Sequence, residues 1–163
     1  MEVRELLERS LRLEERCAAL YRSFAAAARA EPAVCALWTD LAREEEDHAR
    51  ALRAAAAANP SGRTRIDGWE ESLAEIEERL LSAERLGPAA NTDRQLAAAL
   101  DVEMTEIESL RHAVLHACAA PIALGDAPHA ERLAAAAESL TDDPQVRLQA
   151  ALVRARVRLQ SAG

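Results

Sequence analysis

Two glutamates and a histidine set into otherwise apolar rows mark where this chain could do chemistry. Leu7, Glu14 and Tyr21 stand seven residues apart, beside the row Leu6, Leu13 and Leu20, with Cys17 and Phe24 completing the apolar face. In a helix that spacing puts Glu14 in the middle of the buried stripe. The next helical segment repeats the anomaly. Val34, Leu41 and His48 are seven apart, as are Trp38, Glu45 and Leu52, so Glu45 and His48 face inward while Glu44, Glu46 and Asp47 are expected to point away. With the turn near residue 31, Glu14 and His48 are equally far from it, and at about 1.5 Å rise per residue they reach the same height. A buried carboxylate costs several kcal/mol unless paired or bound to a cation. Two carboxylates beside an imidazole suit a divalent metal with mixed oxygen and nitrogen preference.

A third inward carboxylate follows. The stripe Leu96, Leu100, Glu103, Ile107, Leu110, Val114 carries Glu103 inside it, with Glu106 one turn on. By contrast Trp69, Leu73, Ile76 and Leu80 run without polar interruption, so that segment reads as structural, with Glu70, Glu71, Glu75 and Glu78 solvated. A lone Glu-x-x-His on an acidic helix arises readily by chance, and a structural role for His48 is the competing reading. Coincidence of face and height across two helices favours metal. His112 and His116 fall on the outer face of the fourth segment and are expected to be exposed.

Five helical segments must position these residues. They span about Val3 to Ala30, Pro32 to Ala58, Gly68 to Leu86, Thr92 to Ala119, and from Asp126 to about residue 160, the last interrupted at Asp142-Asp143-Pro144 as two helices or one kinked helix. The short first turn makes the first two segments an antiparallel hairpin. One domain over residues 1–163 is expected: a first hairpin over 1–58, a crossover with an extra helix over 59–91, and a second hairpin over 92–163.

Glu14 with Tyr21 seven residues later, then Glu45-x-x-His48 on the next helix, resembles the rubrerythrin branch of the ferritin-like superfamily. Leu13-Glu14-Glu15-Arg16-Cys17-Ala18-Ala19-Leu20-Tyr21 and Glu44-Glu45-Glu46-Asp47-His48-Ala49 carry most of the likeness, which covers the first 58 residues. It implies an all-α, ferritin-like four-helix bundle with an extra helix in the long crossover, and a di-iron carboxylate centre in its core. Iron oxidation or peroxide reduction would be its chemistry. The family repeats the arrangement in its second half, where Glu103-x-x-Glu106 matches the first glutamate. For the last Glu-x-x-His, Asp126-x-x-His129 is set aside: with a turn near residue 123 it would lie ~20 Å along the axis from Glu106, and His129 is expected at an exposed helix start. The right height falls at residues 138 to 145, where Glu138 is available but Thr141 stands in place of histidine; Asp142-x-x-Gln145 is the other candidate. The expected ligands are therefore Glu14, Glu45, His48, Glu103, Glu106 and Glu138, holding two iron ions, the second at a site that lacks an imidazole, or a single metal at Glu14, Glu45 and His48. Without a rubredoxin-like C-x-x-C, redox activity would need an external electron donor.

Bulk composition bounds the rest. Half the chain is apolar, yet only four residues are aromatic, so the core is built from Leu, Ala, Val and Ile, and every basic residue is Arg. A net charge of −8 without a clustered basic footprint argues against nucleic acid. Acidic residues at the N-terminus do not suit a signal peptide, and the longest uncharged run, Ala113 to Gly125, is too short for a bilayer and contains Pro121. The expectation is a cytoplasmic protein with no membrane partner, and a homodimer. Cys17, Cys35 and Cys118 are expected as buried hydrophobes. The alternative is a metal-free scaffold or interaction module retaining a decayed di-iron site. The C-terminal Arg147, Arg154, Arg156 and Arg158 read as a solvated face.

Overall fold

The computed structural model describes residues 1–58, 65–105, 107–118 and 129–161. Its helices are α1 (Val3–Ala27), α2 (Pro32–Ala58), α3 (Glu70–Leu86), α4 (Thr92–Glu103), α5 (Ile107–Ala117), α6 (His129–Leu140) and α7 (Pro144–Ser161). Among the described residues there is no strand beyond an isolated bridge between Glu2 and Arg65. The fold is an all-α bundle.

The seven-residue rows of the sequence are the buried rows of the structure. Leu6, Leu7, Leu13, Cys17, Tyr21 and Phe24 of α1 face Trp38, Leu41 and Leu52 of α2, all buried. Alanines at 18, 42, 49 and 55 fill the seam between bulkier side chains and let the two backbones approach. The turn is closed by Ala28 N–H donating to Phe24 O and Glu31 N–H to Ala28 O, and Pro32 opens α2 where its missing N–H costs nothing. Three of the four aromatic residues form one nest: Tyr21 stacks on Trp38 at 5.6 Å between centroids, and Phe24 meets the same indole edge-on at 5.2 Å.

The third helix runs alongside α1 in the same direction. Arg9 pairs with Glu77 and Arg16 with Glu84, a common step of seven residues on both helices. Its inner face, Leu73, Ile76 and Leu80, is fully buried as the uninterrupted stripe predicts. Gly87, at a φ of 71°, ends it in the left-handed region where glycine is least strained. Asn91 then caps α4 by accepting from Arg94 N–H.

Two expectations about the second half change. The fourth segment is not continuous: α4 ends at Glu103, and Thr105 folds back on Val102 O with both its N–H (3.0 Å) and its hydroxyl (2.6 Å). A threonine that bonds its own backbone in this way competes with the helical ladder. Beyond the break α5 packs on α1 and α2, whereas α4 packs on α3, α6 and α7. The last segment is two helices. Asp143 caps α7 by accepting from Gln145 N–H at 2.8 Å and Val146 N–H at 3.2 Å, and Pro144 takes the first helical position. α6 and α7 pack as a hairpin, with Ala130 near the start of one beside Val153 and Val157 towards the end of the other. Among the described residues no helix is long and apolar enough to cross a membrane.

Candidate metal centre

Every element of the bundle core except α3 and α7 sends one or more polar side chains to a single place. From α1 comes Glu14 and from α2 come Glu45 and His48. The end of α4 supplies Glu103, the first residue of α6 is His129, and α5 contributes Arg111. Glu14 and Glu45 are buried at 1% and 3% exposure, and the side chains of Glu103 and His129 are about as closed. His48 is the most open, its side chain 21% exposed.

These groups form two overlapping sets, Glu14–Glu45–His48 and Glu45–Glu103–His129, each with donor atoms close enough to hold one ion, and Glu45 belongs to both. In the first set His48 Nδ1 lies 3.0 Å from Glu45 Oε2 and 3.4 Å from Glu14 Oε2. In the second, His129 Nε2 lies 3.2 Å from Glu45 Oε1 and 3.3 Å from Glu103 Oε1. Tyr21 closes one side: its hydroxyl donates to Glu103 Oε1 at 3.4 Å and its ring stacks over His129 at 6.1 Å.

His129 is held from behind. Its Nδ1 meets Glu44 Oε2 at 2.7 Å, and Glu44 is tied in turn to Arg132, one turn along α6. A carboxylate accepting Nδ1–H fixes the tautomer and leaves Nε2 turned toward Glu45 and Glu103. That nitrogen and Glu14 Oε2 are both buried, and neither makes an aligned hydrogen bond. Contacts of 3.2 to 3.4 Å surround them, but the angles do not suit proton sharing. Two buried donor atoms left unbonded in one polar cluster are what a cation needs and what a polar core avoids.

Electrostatics follow from the crowding. Burial pushes Glu14 up, but contact with the Glu45 and His48 side chains and the charge of Arg111 outweigh it and hold Glu14 below the usual carboxylate range. Burial, reinforced by the charge of Glu14 and opposed by His129, pushes Glu45 above it. One proton thus sits on Glu45 between two carboxyls. Burial opposes the charging of His48, yet its contacts with Glu14 and Glu45 raise its pKa to about 9. Burial likewise opposes charge on His129, and Glu103 and Glu45 override it.

Arg111 Nη1 stands 2.8 Å from His48 Nδ1 and 3.6 Å from Glu14 Oε1. A guanidinium can donate only to a lone pair, so this approach belongs to neutral His48. In the imidazolium form favoured by the carboxylates, Nδ1–H turns to Glu45 and Arg111 retains Glu14.

Against the sequence expectations, Glu14, Glu45, His48 and Glu103 come together at one level. Glu138 does not join them: it pairs with Arg154 on α7, half-buried. Glu106 lies outside the described residues, as does Asp126. The rejection of His129 is overturned. It was set aside on a height counted along one unbroken helix to residue 119, and the break at Met104–Thr105 removes that count. Glu44, expected to point away, supports His129 instead. Thr141 and Gln145 serve the turn into α7. His116 is exposed, whereas His112 is half-buried. Cys17 is buried as expected and Cys35 and Cys118 are half-buried. Arg147 and Arg158 are exposed, but Arg154 and Arg156 are partly covered. Arg111 was missed, although Ile107, Leu110, Arg111 and Val114 share a face, and that spacing is the available signal.

Comparison with known proteins agrees with this geometry. The rubrerythrin family model matches residues 5–117. The chain belongs to the rubrerythrin family. No curated protein and no solved structure matches it. The family match ends before His129, so α6 and its histidine enter the site on structural grounds.

Proposed function

We propose that this rubrerythrin-family chain binds iron at the cluster of Glu14, Glu45, His48, Glu103 and His129, and couples oxidation of ferrous iron to reduction of peroxide. The observation that carries this reading is the pair of carboxylate–histidine sets sharing Glu45, with Glu14 Oε2 and His129 Nε2 buried and unbonded inside them. Two ferrous equivalents oxidised there would supply the electrons, with one peroxide taking up two electrons and two protons to give two waters. The chain's own groups supply the rest: the carboxyl pair Glu14–Glu45 and His48 hold exchangeable protons at the site, and Tyr21 orients Glu103. Near-complete burial of Glu14, Glu45, Glu103 and His129 limits water. No C-x-x-C occurs in the sequence, so re-reduction requires an external donor.

A second reading has one observation in its favour. Arg111, His48 and His129 together can neutralise Glu14, Glu45 and Glu103, which a metal-free scaffold would require. Elemental analysis after anaerobic ferrous loading and desalting separates the two. Iron retained by the wild type, lost in Glu45→Ala, and oxidised by a stoichiometric addition of hydrogen peroxide supports the metalloprotein. No retained iron, with Glu45→Ala at least as stable, leaves the scaffold.

A further inference from the structure

The two halves of the cluster differ in what already fills them. The Glu45–Glu103–His129 half has a histidine locked by Glu44, with its Nε2 buried and unbonded. The Glu14–His48 half has Arg111 pressed into it, its side chain only 11% exposed, at 2.8 Å from the nitrogen that would ligate and 3.6 Å from the carboxylate. That arginine is not a stray surface group. Ile107, Leu110 and Val114 bury the same face of α5 against α1 and α2, so the helix delivers Arg111 to the cluster.

We propose that Arg111 is a built-in cation holding the place of one metal ion, so that the chain binds one divalent ion at Glu45, Glu103 and His129 and excludes a second from Glu14 and His48. The inference rests on the metal-binding reading above. Charge balance supports it. With Glu14, Glu45 and Glu103 all ionised and both histidines neutral, Arg111 and a single divalent ion bring the described side chains of the cluster to neutrality. A second divalent ion would leave two buried positive charges in excess, beside a guanidinium that has no room to stay. Excess buried charge of this kind is strongly disfavoured. Sterics act in the same direction, because Nδ1 of His48 cannot serve Arg111 and a metal at once.

The test is metal stoichiometry, read by isothermal titration with Mn(II) and by elemental analysis after anaerobic Fe(II) loading, on the full chain. Wild type should take one ion per chain, and His129→Ala should lose it. Arg111→Gln, which keeps a polar side chain but removes the charge and shortens the reach, should take two, and adding Glu14→Gln to it should return the count to one. Arg111→Lys, a cation of similar reach that guards against misfolding of the glutamine variant, should stay at one. Two ions in wild type, or one in both wild type and Arg111→Gln, overturns the role of Arg111 while leaving metal binding intact. No ion in wild type or in any variant sinks the metal reading itself, and this inference with it.

Discussion

Glu45→Gln is the substitution that most directly tests the electrostatics of the cluster in the metal-free protein. The amide keeps the volume of the side chain and removes its ionisation. In the folded chain the Glu45 pKa is raised from 4.5 to about 8, first by burial and then by the charge of Glu14. A raised folded-state pKa means that the folded form holds the proton longer, so stability is fully present below pH ~4.5 and is lost as pH rises through about 8. Each pH unit in that window is worth about 1.4 kcal/mol, which sets an upper limit of ~4 kcal/mol between about pH 5 and pH 8. Glu14, held below the usual carboxylate range, titrates below this window and leaves that limit unchanged within it. His48, with a pKa raised to about 9, adds a loss in the same direction as pH climbs from its ordinary value through 9. Urea unfolding of EDTA-treated protein at unit pH steps gives the comparison, and surface carboxylates cancel between the two proteins. Wild type should lose up to ~4 kcal/mol relative to Glu45→Gln between about pH 5 and 8, leaving the variant the more stable at alkaline pH. Parallel profiles for the two proteins across that window would refute the shared-proton account.

Three further outcomes follow from the same geometry. Glu44→Ala should weaken metal binding by 10- to 100-fold in a Mn(II) titration, with helicity by circular dichroism unchanged, because it frees His129 to rotate without removing a ligand. Saturation at about a hundred times the dissociation constant should stabilise the fold by ~2.7 kcal/mol and raise the melting temperature by roughly 5 to 11 °C; no such shift is expected in His129→Ala. Trp38→Ala removes the fully buried indole against which Tyr21 and Phe24 pack, and should cost ~3–5 kcal/mol in chemical unfolding.

The first hairpin was legible because its signals agree. The seven-residue rows, the short turn before Pro32 and the interruptions at Glu14, Glu45 and His48 all specify one register, and a helix packed along its whole length obeys the periodicity that predicts it. α3 was legible for the same reason. The later helices were less so, because their ends are set by side chains bonding their own backbone. Nothing in the apolar stripe Leu100, Ile107, Leu110, Val114 announces that Thr105 turns the chain between its first two members. The Asp142-Asp143-Pro144 junction did announce itself, since Asp before Pro both stops one helix and caps the next. Whether it bends or breaks was decided by the packing of α7 back on α6.

The error over His129 shows how a local break changes a conclusion about function. Heights along a bundle are additive only while each helix is continuous. The break after Glu103 lets α5 pack elsewhere and α6 begin beside the cluster, so the second histidine arrives from the position that the height count excludes. The same break explains Arg111. Had the helix run straight on from Glu103, Arg111 would lie about two turns farther along the axis; redirected onto α1 and α2, α5 carries it back to Glu14 and His48. One turn at Thr105 therefore determines both departures from a symmetric two-metal arrangement. It makes the Glu45–Glu103–His129 half complete, and it places a fixed positive charge in the other. A variant that restores the helix through residue 105 should for this reason disturb both halves at once, whereas single ligand substitutions disturb one.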